Sequence, residues 1–437
     1  MPHTPDFSLL RDPVHREIET EYRKRYADAP LENIIVFRSG PHENSYVPGM
    51  DYADNARALF EYMLSAHMDN EYELVWLVKN PAEYLTVSNN EYVAEDGSVL
   101  SLSSQQLERN KAFANRNVRF IAYDWATTDD SLKREKYYRV MCLAKYVFLT
   151  DAYGFAGACR EDQTRIQLWH GCGFKTRVFF DSCENRYEYN IVVSDVYKEV
   201  HARIYGLRDD QVVITGYPKQ DWLFQPYEQS FSEMFSVAKS SKYIFWLPTF
   251  RMADDKLKEL NQYKLSTQTG LPIVGTVEQL VELNDFLAKR DTSIIVKLHP
   301  FQKKGMVDIP KLSNVVLLYN DDLVKEDIVI NRLLARADAL ISDYSSAAVD
   351  FLCLDRPIAF TLDDVEEYEN SRGFVFENIR DWLPGREMFG LEDFLEFVDE
   401  VSKGEEKYAE KRKELMNKMV WYRDGKNCER VVEAFVK

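Results

Sequence analysis

His170 stands at the end of an apolar run, a position from which a side chain can perform acid–base chemistry. It follows residues 166–169 and precedes Gly171 and Gly173, whose small size lets the backbone of this turn approach a ligand closely. An imidazole titrates near neutral pH and could here accept a proton from a hydroxyl group. The alternative for this segment is a structural histidine packed in a turn.

His299 ends a second segment of this kind, Ile295-Val296-Lys297-Leu298-His299-Pro300. Alternation along the strand predicts that Lys297 and His299 lie on the same side, and Pro300 ends the strand. Two groups that can carry positive charge at a strand tip suit a phosphate leaving group. A partly satisfied core histidine is the alternative.

A third segment combines an acidic residue with serines just before a helical pattern. Asp343, Ser345 and Ser346 follow an apolar run that ends at Ser342. Serine hydroxyls and unpaired backbone N–H groups at the start of a helix favour a phosphate, because the positive end of the helix dipole lies there. An ordinary helix cap explains such a run equally well when it is taken alone.

Three more loops follow predicted strands and supply polar groups. One of them, residues 216–221, could simply be a turn. Each loop alone is more readily explained as structural, and only their shared position after strands favours a site. The candidates that the other two loops contribute are Thr249 and Arg251 in the second half of the chain, and Gly40, His42 and Asn44 in the first half.

Apolar runs alternate with amphipathic segments along the chain, which is typical of parallel sheets covered on both faces. One series of predicted strands runs from residues 33–37 to 212–214, with the run 166–169 among them. A second series begins at residues 243–247, after a polar and serine-rich stretch. The sequence therefore predicts two α/β lobes with a cleft between them, where ligands bind beyond the carboxyl ends of the strands.

Composition narrows the classes of function. The chain has 437 residues, of which 45% are hydrophobic and 29% charged, as in globular proteins. Its net charge of -17 disfavours nucleic acid as a partner. No apolar run reaches the roughly 18 residues of a membrane span, and no signal-peptide core stands at the start. The six cysteines form no CxxC pair, so neither a zinc cluster nor a disulfide framework is predicted.

The motifs occur in an order that is more specific than any one of them. They lie at residues 35–39, 45–46, 54–59, 167–171, 216–221, 247–251, 297–300, 342–346, 350–351, 356–360, 372–374, 424–426 and 429–431. This set resembles the CDP-glycerol glycerophosphotransferase family, which includes the teichoic-acid poly(glycerol phosphate) polymerases and primases.

The resemblance implies an α/β, GT-B-like fold of two Rossmann-like lobes with parallel sheets and a cleft between them. An N-terminal acceptor-side domain would cover residues 1–227, and a C-terminal CDP-donor-binding domain would cover 242–404. A C-terminal helix over 405–437 would pack back on the first domain. The implied reaction transfers a polyol phosphate, above all glycerol phosphate, from a CDP-alcohol to a hydroxyl of a cell-surface glycan or teichoic-acid-type polymer, and releases CMP.

The resemblance also implies roles for the candidate residues. His170 would be the general base for the acceptor hydroxyl, and His299 would stabilise or protonate the departing phosphate. No tightly bound cofactor and no catalytic metal are expected; Asp343 and Asp350 are the carboxylates that would hold Mg²⁺ if it bound. The donor and phosphate contacts would be Ser345, Ser346, Lys297, Arg251, Thr249 and Asp343, and the acceptor-side contacts Gly171, Gly40, His42 and Asn44.

Two other functions share these features: a GT-B glycosyltransferase or epimerase that uses a UDP-sugar, and a non-catalytic nucleotide-binding scaffold. The scattered cysteines favour a reducing cytoplasm. The acidic charge and the lack of a basic amphipathic helix predict weak or no membrane association, at most peripheral at the inner face of the membrane. The chain resembles the catalytic portion of the family, without a long N-terminal accessory region. The choice between glycerol and ribitol, the acceptor (soluble, polymeric or lipid-linked), the number of units added and the oligomeric state stay open.

Overall fold

The computed structural model describes residues 13–40, 49–150, 159–176, 187–248, 267–298, 309–371 and 373–437. Within these ranges the first lobe contains a sheet of parallel strands in the order β5-β2-β1-β6-β7-β8-β9, beside a small antiparallel hairpin of β3 and β4. The strands are β1 (Glu32–Arg38), β2 (Glu73–Val78), β3 (Glu91–Val93), β4 (Val99–Ser101), β5 (Val118–Ala122), β6 (Ala144–Leu149), β7 (Thr164–Gln167), β8 (Tyr189–Val192) and β9 (Val212–Ile214).

The second lobe is built on another parallel sheet, in the order β12-β11-β10-β13-β14-β15. The carboxyl ends of its strands share one edge, as they do in the first sheet. The strands are β10 (Lys242–Trp246), β11 (Thr292–Lys297), β12 (Val315–Leu318), β13 (Ala339–Ser342), β14 (Ile358–Thr361) and β15 (Arg386–Met388).

Helices connect the strands of both lobes, and side-chain caps begin several of them. Ser103 Oγ, Asp130 and Thr276 Oγ1 accept hydrogen bonds from the first backbone N–H groups of α4, α5 and α8. The helices are α1 (Pro13–Arg25), α2 (Asp54–Ser65), α3 (Pro81–Leu85), α4 (Ser104–Lys111), α5 (Ser131–Leu143), α6 (Asp195–Tyr205), α7 (Phe231–Met234), α8 (Val277–Ala288), α9 (Asn320–Lys325), α10 (Ile330–Leu334), α11 (Ala347–Phe351), α12 (Val365–Ser371), α13 (Leu391–Lys403), α14 (Ala409–Met419) and α15 (Asn427–Phe435).

Both faces of the central strands are buried, which explains why they read as continuous apolar runs. Along β1, Ile35 and Phe37 join one apolar cluster, whereas Ile34 and Val36 join another on the opposite face. The first cluster continues across the lobe boundary to Tyr344. The two lobes are therefore joined by a shared core as well as by the chain.

The predicted α/β, GT-B-like class is confirmed by this architecture, but three local predictions need correction. The predicted strand 166–169 ends earlier, at Gln167. The charged stretch from Lys403 to Met419 reads as one helix in the sequence, and this prediction is wrong at its start, because α13 ends at Lys403 and Gly404 takes a φ of 71° before α14 begins. Residues 405–437 likewise form two helices, not one.

The chain after α14 returns to the first lobe. Trp421 N donates to the carbonyl of Val193, and Asp221 accepts hydrogen bonds from the backbone N–H groups of Asn427 and Cys428, both at 2.8 Å. Asp221 thereby caps α15, which packs against α2. The last strand of the first sheet ends at Ile214, and the first strand of the second sheet begins at Lys242. The domain limits 1–227 and 242–404 stay a prediction.

Candidate active site

The turn that carries His170 has an unusual backbone. Trp169 has a φ of 53°, in the left-handed region that a bulky side chain rarely occupies. Such a conformation costs on the order of 1–3 kcal/mol and persists only where the surroundings impose it. Two side chains do so here: Gln167 Oε1 accepts from Trp169 N at 3.0 Å, and Asn55 Nδ2 donates to the carbonyls of Leu168 and Trp169 at 3.2 and 2.7 Å.

Lys219 fixes the next carbonyl of the same turn. Its Nζ donates to the carbonyl of His170 at 2.5 Å, and it pairs with Asp54 Oδ1 at 3.2 Å and with Asp350 Oδ2 of the second lobe at 3.4 Å. Asp350 also accepts from Gln220 Nε2 at 2.9 Å. The two carboxylates raise the pKa of Lys219 against the opposing effect of its burial, so the ammonium group stays charged.

The lobes come into close contact where Ser346 meets the two glycines. A Cβ atom added at Gly171, whose φ is 145°, would lie 2.5 Å from Ser346 Oγ, and one added at Gly173 would lie 3.2 Å from Ser346 N. The sequence assigned these glycines to the approach of a ligand. In the structure they admit a serine of the other lobe.

A short antiparallel pairing continues this contact. Thr176 N donates to the carbonyl of Gly373 at 3.1 Å, and Val375 N donates to the carbonyl of Phe174 at 2.8 Å. The segment after His170 is therefore bonded directly to the second lobe.

A cavity of about 270 Å³ lies at this junction. Its polar wall combines His170 and Lys175 from the first lobe with Ser345 and Ser346 from the second, and aromatic residues form much of the remainder. His170 of one lobe and two serines of the other thus line the same cavity. The complete lining is Trp169, His170, Gly171, Gly173, Lys175, Thr176, Tyr197, Val200, His201, Ile204, Tyr205, Tyr344, Ser345, Ser346 and Val375.

The serine segment differs from its prediction in one respect. The helix that begins after Ser346 is α11, with only five residues, and Ser345 Oγ already accepts from Ala347 N at 3.3 Å. A helix this short has a weak dipole, so hydroxyl groups and backbone N–H groups, more than the dipole, would hold an anion here.

Lys297 lies outside the cavity wall, at the end of β11 and two strands away from β13. Burial lowers its pKa to about 8. Among the described residues no carboxylate lies within ion-pair distance of its ammonium group. A partly buried cation at a strand end, with no acidic partner among the described residues, is suited to an anionic ligand.

The structure does not bring the other described candidates to the cavity. Asp343 is fully buried at the end of β13 and is absent from the cavity wall. Gly40 has a φ of 96° and lies against the carbonyl of Met50, where a Cβ would come within 2.9 Å, so its role here is in a turn. The candidates His299, Thr249, Arg251, His42 and Asn44 lie outside the described residues.

Among the residues that the structure describes, no three His, Cys, Asp or Glu side chains converge as metal ligands would. Asp350, one of the two carboxylates considered for Mg²⁺, is engaged by Lys219 and Gln220. The expectation that the reaction requires no catalytic metal stays a prediction.

Sequence reasoning missed Asn55 and Lys219 as parts of this site, and it considered Asp350 only as a possible Mg²⁺ ligand. Asn55 and Lys219 stand in motifs 54–59 and 216–221, which had carried the resemblance without a role. Membership of a motif that had no assigned chemical role was the available signal. His201, on α6, was also missed; it lines the cavity, and its Nδ1 lies 2.7 Å from Asn190 Oδ1.

Two Rossmann-like lobes around a polar cavity define a protein of the GT-B-like class, and solved structures agree. The wall teichoic acid polymerase TagF, in its H444N form, superposes with a TM-score of 0.67 at 19% identity, over 98% of this chain and 94% of that one. The chain also matches the model of the CDP-Glycerol:Poly(glycerophosphate) glycerophosphotransferase family over residues 32–437. It therefore belongs to this family, as its motifs predicted.

Curated relatives carry teichoic-acid names. The ribitol-phosphate polymerase TarK of Staphylococcus aureus (strain NCTC 8325 / PS 47) is 27% identical over 327 residues, 70% of this chain and 59% of the relative. The glycerol-phosphate primase of Bacillus subtilis (strain 168) is 26% identical, over 57% of this chain and 64% of the relative. The chain thus spans about half to two thirds of the first relatives that it matches. The teichoic acid glycerol-phosphate transferase of the same S. aureus strain is 24% identical, over 98% of this chain and 99% of the relative.

None of the described helices combines the length and the hydropathy that crossing a bilayer requires.

Proposed function

We propose that this chain transfers a polyol phosphate, glycerol phosphate or ribitol phosphate, from a CDP-alcohol to a hydroxyl group of a teichoic-acid-type polymer or related cell-surface glycan. One observation carries the proposal: in a member of this family, one cavity is lined by His170 of one lobe and by Ser345 and Ser346 of the other. The names of the relatives support both alcohols as donors.

In the proposed reaction the acceptor hydroxyl attacks the β-phosphorus of the CDP-alcohol. The new P–O bond forms as the bond to the CMP oxygen breaks, and His170 takes the proton of the attacking hydroxyl. Phosphoryl transfer depends mainly on alignment and on neutralising the charge of the phosphoryl oxygens. Ser345 and Ser346 would donate hydrogen bonds to these oxygens, and Lys297 would supply positive charge near the diphosphate.

The proposed reaction implies a cytoplasmic location, because nucleotide-activated donors are made inside the cell. A polymer held at the inner face of the membrane would require only peripheral contact by the chain. No tightly bound cofactor is part of the proposed chemistry.

The test is release of CMP from CDP-glycerol and CDP-ribitol in the presence of a panel of acceptors, with products identified by mass. His170→Ala should lower the rate by about 10²–10⁴-fold, the contribution of a well-placed base. The matched control is His15→Ala on α1, outside the cavity, which should keep the rate. A His170→Ala variant that works within a few-fold of the wild type would remove His170 from the role of base.

Donor choice tests the remaining alternative of a UDP-sugar enzyme. A CDP-alcohol at 100 times its Kd should add about 2.7 kcal/mol to the free energy of unfolding. UDP-N-acetylglucosamine should add nothing at the same concentration. The opposite order of protection would contradict the proposed donor.

A further inference from the structure

The backbone that leads into His170 is held by side chains from two distant segments. Asn55 Nδ2 donates to the carbonyls of Leu168 and Trp169, and Lys219 Nζ donates to the carbonyl of His170. Three consecutive carbonyls are thus fixed by two buried side chains. Asn55 is fully buried and Lys219 is 8% exposed.

The two side chains act as one unit. Asn55 Oδ1 accepts a hydrogen bond from the backbone N–H of Lys219 at 3.1 Å. This bond fixes the position of the Asn55 amide relative to Lys219. Lys219 in turn pairs with Asp350 of the second lobe. The position of the turn at residues 168–170 is therefore fixed by contacts that extend to both lobes.

The conformation of Trp169 shows why this support matters. A tryptophan at a φ of 53° returns to an ordinary backbone conformation unless other contacts prevent it. A change in its backbone torsions would rotate the peptide that follows, and with it the direction of the His170 side chain. The rings of Trp169 and His170, with centroids 4.2 Å apart, would separate as well.

We propose that Asn55 is a positioning residue for His170, acting together with Lys219 by holding the left-handed turn at Trp169. This inference rests on the proposed function, in which His170 is the base. Asn55 touches neither substrate nor the reacting atoms; it sets where the imidazole stands. Displacement of a catalytic group by about 1 Å can cost on the order of 10²-fold in rate.

The primary experiment compares wild type and Asn55→Ala in kcat, in donor Kd and in the pH–rate profile. We expect kcat to fall about 10²-fold while the Kd of CDP-glycerol stays unchanged, because most of the donor contacts lie on the second lobe. The acidic limb of the profile, which deprotonation of His170 produces, should flatten, because less of the residual rate passes through that imidazole. A fall in kcat with an unaltered limb would overturn the inference.

A double-mutant cycle tests whether Asn55 acts through Trp169. Asparagine tolerates the left-handed region better than tryptophan does, so Asn55→Ala should cost much less in a Trp169→Asn background than in the wild type. Costs that simply multiply would overturn the inference. If Asn55→Ala does not fold, Gln167→Ala, which removes the acceptor of Trp169 N, replaces it and should lower kcat several-fold at unchanged donor Kd.

Failure of the proposed function would look different. A wild-type chain that releases no CMP from CDP-glycerol or CDP-ribitol with any acceptor would refute the function itself. An active wild type with an equally active Asn55→Ala variant would refute only the positioning role.

Discussion

Replacing Gly171 by alanine should separate the two lobes at the point where the cavity depends on their contact. The new Cβ would lie 2.6 Å from Ser346 Cβ, whereas two carbon atoms in contact stand about 3.5–4.0 Å apart. The loop or the serine must therefore move by about 1 Å, a displacement that can lower the rate on the order of 10²-fold. The φ of 145° adds backbone strain of about 1–3 kcal/mol.

Two glycines elsewhere separate these effects. Gly206 has a φ of 61° with open space around it, so Gly206→Ala adds strain without a clash. Gly390, at a φ of -156° and also in open space, should accept alanine with neither effect. Measured as CMP release and as free energy of unfolding, Gly206→Ala should lose stability but keep its rate, and Gly390→Ala should keep both.

A second change at Ser346 distinguishes crowding from strain. In the Gly171→Ala background, Ser346→Gly removes the atoms that the new methyl group meets, so part of the lost stability should return. A Gly171→Ala enzyme that turns over as fast as Gly206→Ala would refute the reasoning, because close contact of the lobes would then be irrelevant to the reaction.

Two more predictions concern Lys219 and Lys297. Lys219→Met leaves Asp54 and Asp350 without their cation and should lower the free energy of unfolding by about 3–5 kcal/mol in denaturant titrations. The control Lys198→Met, which breaks an exposed pair, should change the free energy of unfolding by less than about 0.5 kcal/mol. Equal effects of the two substitutions would contradict the buried network. Burial lowers the pKa of Lys297 to about 8, so its charge is present below that pH and lost above it, and the Kd of CDP-glycerol should rise between about pH 7 and about pH 9. Lys297→Arg should remove this pH dependence, and a wild-type Kd that is flat over the same range would exclude Lys297 from the donor site.

The sheets could be predicted from the sequence because each central strand is buried on both faces, which makes it a continuous apolar run. The hairpin of β3 and β4 could not, since its strands have three residues each and expose most of their side chains. Helix ends depended on single residues: Gly404 ends α13 in the middle of a charged stretch that otherwise reads as one helix.

The candidate site was predictable only where chemistry shows in a local motif. His170, Ser345 and Ser346 were found because each follows a strand, where parallel sheets bind ligands. The supporting residues act across 113 positions from Asn55 to Leu168 and 130 from Gln220 to Asp350, and no local pattern encodes such contacts. The glycines were recognised as significant, but their neighbour, Ser346 of the other lobe, could come only from the structure.

Ion pairs cross the junction between the lobes in addition to the shared apolar core, and they have a physical consequence. Besides the pair of Lys219 with Asp350, both Arg57 and Arg109 of the first lobe bond to Asp327 of the second, at 2.9–3.1 Å, with side chains no more than 15% exposed. Buried ion pairs add little net stability compared with apolar packing, but their geometry tolerates little displacement.

Apolar faces of similar area could slide past each other at little cost, whereas a shift at these joints would leave a buried charge without its partner. We infer that the polar joints fix one register between the lobes. The proposed reaction needs such a register, because its base stands on one lobe and most of its donor contacts stand on the other. The charge of Lys219 is neutralised by Asp54 and Asp350. Lys219 therefore helps to align the two lobes and adds no net positive charge that could bind the diphosphate of the proposed donor.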